Sequence, residues 1–558
     1  MTLPQPKDVE AALHDQMNIL PKARLIIVFV LLSLTLCVYC IDSTSIGQML
    51  PSVAKDLRAQ STIGWAGISS LIANTVFQVL YGRLSDIFGR KLVYLSAIAL
   101  LGVSALLSGF AVNSTMLYVA RGLAGIAGGG ISSLTQMIVS DVVSLERRGK
   151  YQGILGSMSG IGNLSGPVLG AVFAQRSAWR GLFFLLICPL SALCFAINWY
   201  VVPSVTPTAD FRENVRKIDF YGTFTSAVAI IFLLYPICAG GSYLEWRSAT
   251  AISMLTIGGV AAVAFIFIEC KVARLPMLPP SLFKRLPTAV LLAQNFFYGI
   301  AYYTYLYYLP LYYQNVRNYT PLTSALLTIP LVLCQSLTSW LSGQYISRRN
   351  RYIEVLWFGF LVWTIGASLA AALFNRSIRP AAIIVIQCLV GLAIGCVLQT
   401  SLVAAQAHVS TSQRAVVISA RNFLRSLGGA FGLAIAASVL QNVLQHSLPT
   451  EFKYLSDSSY ATPDYSRYSH VDSERIRDAY AKASRSVFIM LAPVIGLCTI
   501  GCFFVRDVGL KKEDEEGGPL KAVLRELQTE AQTERMSPRA SRTGSELRRL
   551  NRSSQDVP

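Results

Sequence analysis

The stretch Gly82-Arg-Leu-Ser-Asp-Ile-Phe-Gly-Arg-Lys91 lies between two apolar segments and decides how the surrounding chain folds. The segments, residues 62–82 and 92–111, are each about as long as the 20 apolar residues that a helix needs to cross a bilayer. Glycines permit a tight turn between closely packed helices. Asp86 is able to accept charged hydrogen bonds from Arg90 or from a helix of the other half of the chain. The stretch therefore predicts a short, charged loop between two membrane helices.

The composition of the whole chain is that of a membrane protein. Of its 558 residues, 53% are hydrophobic and 14% are charged, whereas soluble domains have about 25% charged residues. The formal charge of +18 does not indicate nucleic-acid binding, because Lys and Arg occur in short runs between apolar segments. We expect a polytopic membrane protein that binds no nucleic acid. The 11 cysteines lie in or beside apolar runs, so we expect neither a disulfide framework nor a metal site.

Fourteen apolar segments predict an all-α protein with fourteen transmembrane helices. They are residues 25–48, 62–82, 92–111, 116–139, 152–174, 181–202, 219–239, 250–270, 288–312, 322–346, 353–374, 380–403, 416–440 and 486–505. The predicted regions are an N-terminal tail (1–24), a six-helix bundle (25–202), a linker with two extra spans (203–287), a second six-helix bundle (288–505) with an outer loop (446–485), and a C-terminal tail (506–558).

Lys and Arg in the short loops predict the orientation of the chain. Loops after even-numbered segments carry more of these residues than loops after odd-numbered segments, so both termini are expected in the cytosol. This tally counts Arg421 and Arg425 with the loop after segment 12. The sequons at Asn113, Asn318 and Asn375 fall in loops assigned to the far side, which makes them glycosylation candidates.

Weak internal similarity divides the chain into two halves around an inserted pair, segments 7 and 8. Arg121-Gly-Leu-Ala-Gly125 in segment 4 corresponds to Gln387-Cys-Leu-Val-Gly391 in segment 12. Where the first half has Asp86 and Arg121, the second has Ser347 and Gln387. We therefore expect the ionisable chemistry to be concentrated in the first half.

Asp42 in segment 1 and Arg121 in segment 4 are the only ionisable residues that we place well inside a span. A guanidinium within the membrane costs about 2.5 kcal/mol or more, so Arg121 needs water or a counter-charge. Asp42 lies about 27 Å along its helix from Arg24. Since segments 1 and 4 run in opposite directions, the two side chains fall at comparable depth, and we expect them to form a proton-coupling site. The alternatives are an interfacial Arg121 and an Asp42 that only ends its helix.

Segment 5 carries a series of small residues that predicts close helix packing. The series is Gly153, Gly162, Gly166, Pro167 and Gly170. Glycines let helix backbones approach, and proline frees a carbonyl and kinks the helix. We expect a hinge and seal beside a substrate cavity, with generic small-residue packing as the alternative.

Uncharged polar and aromatic residues within the segments are candidates for that cavity. They are Asn74, Gln78, Gln294, Asn295, Tyr298, Tyr302, Gln387 and Gln399. The outer tyrosines of segment 9, from Tyr307 to Tyr313, are expected to form an aromatic belt at the membrane interface.

Four of these stretches resemble signature motifs of the major facilitator superfamily. The loop after segment 2 matches G-x-L-x-D-x-x-G-R-K through Gly82, Leu84, Asp86, Gly89, Arg90 and Lys91. The glycine series is similar to an antiporter motif, although Ala171 replaces its final glycine. Leu117 to Gly125 resembles L-x-x-x-R-x-x-x-G, with Ala124 in place of the usual Gln, and Asp42 to Pro51 resembles a D-x-T motif. Together they are typical of the fourteen-span drug:proton antiporter group, frequent in fungi.

The resemblance implies a proton-coupled exporter of small, mostly lipophilic compounds that works by alternating access. It implies no catalytic residues and no cofactor or metal, with the proton gradient as energy source. The expected partners are a small-molecule substrate, protons and the bilayer, and we expect a monomer in the plasma membrane or, second, the vacuolar membrane. Two alternatives stay open: a vacuolar importer of basic amino acids and a non-transporting sensor. A membrane enzyme is disfavoured, because the four histidines are scattered and no acidic pair occurs in a span.

Overall fold

The apolar segments form helices because a backbone inside a bilayer has to satisfy its hydrogen bonds internally. The computed structural model describes residues 22–59, 62–63, 65–143, 145–175, 178–202, 219–239, 244–272, 278–409, 413–457, 463, 465 and 468–510, and the regular secondary structure of these residues is helical. Most of both predicted tails, residues 1–21 and 511–558, lies outside them. The predicted all-α class is confirmed.

Fourteen long helices follow one another in the described part of the chain, one at each predicted segment. They are α1 (Lys22–Asp56), α2 (Trp65–Phe88), α3 (Arg90–Gly109), α4 (Ser114–Val142), α5 (Leu145–Gln175), α6 (Trp179–Val201), α7 (Phe220–Ala239), α8 (Ala249–Lys271), α9 (Leu286–Asn315), α10 (Ile329–Arg349), α11 (Ile353–Leu373), α12 (Pro380–Ala407), α13 (Arg414–Ser447) and α14 (His470–Gly501). Short helices at Ser281–Lys284 and Pro321–Leu327 precede α9 and α10.

Ten of the described helices are long and apolar enough to cross a membrane by length and composition. The helices α2, α5 and α9 have the length but carry more polar, glycine or tyrosine residues, and α7 has a shorter apolar stretch, Tyr221–Ile237. The chain is thus a multi-pass membrane protein, while the count of fourteen spans and the predicted region limits stay predictions.

The packing of the helices repeats between the two halves. In the first half α1 packs on α5 and α2 on α4, and in the second half α9 packs on α13 and α10 on α12. The contacts of α3 with α4 and α6 recur as contacts of α11 with α12 and α14. Each helix of the first half therefore corresponds to the helix eight positions later, as segments 4 and 12 indicated.

The most extensive contacts between the halves are those of α2 with α13 and of α5 with α10. The inserted helices α7 and α8 pack on each other, and α7 also contacts α2 and α13. Ile230 and Leu234 of α7 belong to one buried apolar cluster with Phe423 and Ala430 of α13, against which Val76 of α2 packs. The inserted pair is therefore attached at the contact between α2 and α13.

Helix α14 begins at His470, well before the predicted limit at residue 486, so part of the predicted outer loop is helical. Arg376, in the connection between α11 and α12, forms ion pairs with Glu474 and, at 3.3 Å, with Asp478 of this extension. The hydrogen bond from Arg376 lowers the pKa of Glu474 below its usual range. These contacts tie the extension to the second half.

Candidate functional site

Asp42 and Arg121 form a buried ion pair between α1 and α4. Nη1 of Arg121 donates to both carboxylate oxygens of Asp42 at 3.0 Å, and each side chain is 1% exposed. Nε of Arg121 has no hydrogen-bond partner among the described residues. The structure thus brings the two predicted residues together, inside the protein rather than against lipid.

Glycines of α5 hold the helix that carries Asp42. Gly162, Gly166 and Gly170 face α1. A Cβ atom on Gly166 would lie 2.9 Å from the Ile41 carbonyl oxygen, so the two backbones are in direct contact. Gly153 faces α10 instead, where a Cβ atom would lie 2.5 Å from the Ser339 carbonyl oxygen. The helix α5, with Pro167 in its interior, is therefore packed between the Asp42 helix and the other half.

The loop after α2 is a single-residue turn. Gly89 has a φ angle of 89°, a conformation that glycine adopts without strain. Asp86 pairs with Arg90 at 2.8 Å and with Arg83 at 3.8 Å, and Arg90 also pairs with Asp141 of α4 at 2.9 Å. Of the two predicted partners of Asp86, the structure shows Arg90. Lys91, the second residue of α3, is half-buried.

Uncharged side chains make the described contacts across the halves near this loop. A Cβ atom on Gly82 would clash with the Ser419 side chain of α13. Four hydrogen bonds between described side chains join α2 and α4 to α12 and α13: Asn422 to Gln136 (3.2 Å) and to Ser133 (3.5 Å), Ser140 to Gln406 (3.3 Å) and Ser426 to Gln78 (2.9 Å). Of these residues, only Gly82 and Gln78 are among the site residues predicted from the sequence.

Tyr298 and Tyr302 lie where the halves meet. Their rings stack at 5.5 Å, and Tyr298 packs edge-on against Trp363 at 5.0 Å. Asn163 of α5 donates to the Tyr302 hydroxyl at 3.4 Å, whereas the buried Tyr298 hydroxyl has no hydrogen-bond partner in the described part of the chain. The unsatisfied hydroxyl makes Tyr298 a strong candidate for contact with a ligand.

The other cavity candidates divide into two groups. Asn74 and Gln399 contact the first half: Asn74 donates to the Tyr39 hydroxyl of α1 at 3.0 Å, and Gln399 lies beside Gly156 of α5. Gln294 donates to the Cys498 carbonyl oxygen at 2.8 Å and Gln387 bonds to Tyr313, so both point into the second half.

The structure corrects the expectation that the outer tyrosines of α9, from Tyr307 to Tyr313, form an aromatic belt. Tyr308, Tyr312 and Tyr313 are at most 1% exposed, and only Tyr307, at 40%, has substantial exposure among the four. Tyr312 stacks on Phe374 at 5.2 Å. The predicted aromatic belt is wrong for the three buried tyrosines, because the second half packs around them. The three sequon residues Asn113, Asn318 and Asn375 are exposed, and their glycosylation stays a prediction.

Arg421 is a buried cation and Arg425 a half-buried one, although the tally of Lys and Arg counted both with the loop after segment 12. Arg421 is 0% exposed in α13, and Nε donates to Asn295 Oδ1 at 2.8 Å. Arg425 lies one turn further on and is half-buried. The expectation that Asp42 and Arg121 are the only ionisable residues inside a span is therefore wrong. The signal was present, since both arginines fall within the predicted segment 416–440.

Comparison with known families decides which fold these motifs belong to. The sequence model of the Major Facilitator Superfamily matches residues 32–433. The chain belongs to this superfamily. The resemblance found in the loop after α2 and in α1, α4 and α5 is thereby confirmed, and the chain is a secondary transporter.

Relatives within the superfamily carry transporter names. The chain is 44% identical to Citrate exporter 1 of Yarrowia lipolytica over 92% of this chain and 76% of the relative. It is 40% identical to the MFS-type transporter clz4 of Cochliobolus lunatus over 93% of both chains. It is 31% identical to the Efflux pump dotC of Dothistroma septosporum over 77% of this chain and 74% of the pump. These names support an efflux transporter.

The fold also matches solved structures of the superfamily. The major facilitator proton:xylose symporter XylE, bound to 6-bromo-6-deoxy-D-glucose, superposes with a TM-score of 0.58 over 88% of this chain and 97% of its own. The sequence identity is 14%, so this likeness concerns the fold alone.

Proposed function

We propose that this transporter exports small organic molecules in exchange for protons, and that Asp42 carries the proton. The observation that supports this most is the Asp42–Arg121 pair, with 3.0 Å contacts and 1% exposure of each side chain. In the described part of the chain, this pair places a carboxylate and a guanidinium inside the first half. They lie next to the face of α5 that carries Gly162, Gly166 and Gly170. Since α5 also packs on α10, a change at the pair would reach the contact between the halves.

The charge balance of the pair gives the proposed cycle its physical basis. Burial disfavours an ionised carboxylate, while a neighbouring guanidinium favours it. A proton arriving from outside neutralises Asp42 and releases Arg121, which biases the protein toward inward opening. Substrate binding from the cytosol then favours loss of the proton, and rocking of the halves at the α2–α13 and α5–α10 contacts exports the substrate.

The test is transport by the purified full chain in proteoliposomes with and without a pH gradient. Asp42→Asn should abolish gradient-driven accumulation of the transported probe, while exchange of labelled for unlabelled probe persists. Asp56→Asn is the matched control, because Asp56 lies on the same helix in an exposed pair with Arg180 and should transport as the wild type does. Full gradient-driven transport by Asp42→Asn would remove Asp42 from the proton pathway.

The substrate class has two candidates. Lipophilic compounds follow from the motif resemblance and agree with relatives named efflux pumps. Organic acids are the second candidate, favoured by the similarity to Citrate exporter 1 and by the buried Arg421 and Arg425, which repel cations such as basic amino acids. Rhodamine 6G and citrate are suitable probes for the two classes. We place the monomeric transporter in the plasma membrane, where fluorescent tagging would locate it.

A further inference from the structure

We infer that Arg421 and Arg425 form the binding site for the transported substrate, and that this substrate is an organic anion with two or three carboxylate groups. The inference rests on the proposed exporter function and names its substrate class. It stands on the geometry of α13 and its neighbours α9 and α12.

Neutral acceptors fix the Arg421 side chain without cancelling its charge. Nε donates to Asn295 Oδ1 at 2.8 Å, Nη1 to Asn422 Oδ1 at 3.0 Å, and Nη2 to Ser401 Oγ at 3.3 Å and to the Leu398 carbonyl oxygen. Among the described residues no carboxylate pairs with this fully buried guanidinium. Arg421 therefore contributes a fixed positive charge to the interior of the second half.

Arg425 has no such set of acceptors. Its Nε atom is buried and makes no hydrogen bond within the described part of the chain. The hydroxyls of Tyr298, Tyr302 and Tyr303 of α9 and of Tyr39 of α1 lie within electrostatic reach of its guanidinium. Tyr298 is 1% exposed and its hydroxyl is also unsatisfied. Nε of Arg425 and the hydroxyl of Tyr298 are therefore each free to donate a hydrogen bond to an oxygen atom of a ligand.

The position of Arg425 is that of a substrate site in an alternating-access transporter. It lies about 16 Å along α13 from Arg414 at the start of the helix, which is near mid-membrane. The next residue, Ser426, donates to Gln78 of α2 in the other half. Tyr39 is within reach of both Asp42 and Arg425, so the anion site and the proton site are neighbours.

A carboxylate ligand satisfies this arrangement better than a lipophilic molecule does. Residues four apart on a helix share one face, about 6 Å apart, so two carboxylates of one small molecule reach both guanidinium groups. The Arg425 guanidinium is free to bind one carboxylate through paired, charge-assisted hydrogen bonds. Most N–H groups of Arg421 already donate to neutral acceptors, so Arg421 attracts the second carboxylate mainly by its charge. Asp42, which like Arg425 interacts electrostatically with Tyr39, is already paired with Arg121, which leaves the charge of the two arginines for the substrate.

The experiment measures binding of radiolabelled citrate to the purified full chain without any gradient. The test variant is Arg425→Gln, because this side chain makes no described hydrogen bond that folding needs, and Arg425→Lys keeps the charge. Arg379→Gln, an exposed arginine before α12, is the matched control. Unlabelled succinate, acetate, inorganic phosphate and rhodamine 6G serve as competitors.

We expect the wild type and Arg379→Gln to bind citrate alike, and Arg425→Gln to bind at least about tenfold more weakly. Arg425→Lys should fall between them, because Lys keeps the charge but loses the paired geometry. Succinate should compete better than acetate, and rhodamine 6G should not compete. Asp42→Asn should bind citrate no more weakly than the wild type even though its proton coupling is lost. A failure of the proposed proton mechanism is therefore distinguishable from a failure of the proposed citrate site.

Three results would overturn the inference. The first is a wild type that binds none of the carboxylates. The second is unchanged citrate binding by Arg425→Gln when its elution from size exclusion matches the wild type. The third is competition by phosphate equal to that of citrate, which would point to a general anion site rather than a carboxylate site.

Discussion

Removing both partners of the Asp42–Arg121 pair should destabilise the protein less than the sum of the two single removals. The two side chains are each 1% exposed and in contact at 3.0 Å, which places the pair among buried ion pairs. Breaking such a pair from one side leaves an uncompensated buried charge and costs about 3 to 5 kcal/mol. Arg121→Gln should therefore lower the free energy of unfolding by this amount. The Asp42→Asn, Arg121→Gln double variant should recover about 2 to 3 kcal/mol of the summed loss.

Denaturant titration of the detergent-purified chain measures the four free energies of this cycle. The exposed pair of Asp56 and Arg180, with side chains 45% and 39% exposed, provides a matched cycle for which we expect a coupling of at most about 1 kcal/mol. If the losses of the two single variants in the Asp42–Arg121 cycle simply add, and the coupling energy is no larger than that of the exposed pair, the claim that the two charges depend on each other inside the protein is refuted.

Three further predictions concern packing, the contact between the halves and pH. Gly166→Ala should cost about 1 to 3 kcal/mol through overpacking and reduce transport, whereas Gly496→Ala, with open space around its Cβ position, should do neither; expression-normalised transport compares them. Gln406→Ala removes a hydrogen bond between the halves worth about 1 kcal/mol. A thiol reagent added on the side where Asp86 lies should then label a cysteine introduced in α4 faster, and unchanged labelling would contradict a role of this bond in closing the halves. Because the folded pKa of Glu474 is lowered by Arg376, its stabilisation is present above the unfolded pKa of about 4.3 and is lost as pH falls through the folded value. Limited proteolysis near α14 should rise in that range, and Arg376→Gln should remove the pH dependence.

The helices and the Asp42–Arg121 pair were predictable because they follow from single physical constraints. Apolar runs of sufficient length have to form helices in a bilayer. An ionised residue within such a run needs a counter-charge, and only one acid and one base satisfied that condition at matching depth. The tight turn at Gly89 followed similarly, because its φ angle of 89° requires glycine.

The buried arginines and outer tyrosines depend on tertiary packing, which one sequence does not contain. Arg421 and Arg425 stand near Arg414, so they were counted as interfacial cations. Their burial requires Asn295 of α9 and the carbonyl of Leu398 in α12 as acceptors. Tyrosine suits a membrane interface and a protein interior equally well, and the packing of α14 on α9, which places Phe488 against Tyr312, decides between them.

The two buried charge sites differ in a way that constrains how the transporter works. In the first half the charges of Asp42 and Arg121 cancel, so that site is neutral when the halves close around it. In the second half Arg421 and Arg425 have no described counter-charge, and burying them unpaired is costly. The anionic substrate that we infer for this site would supply that missing charge. The loaded transporter is therefore able to close at lower cost than the empty one, which couples the conformational change to the presence of substrate without any additional gate.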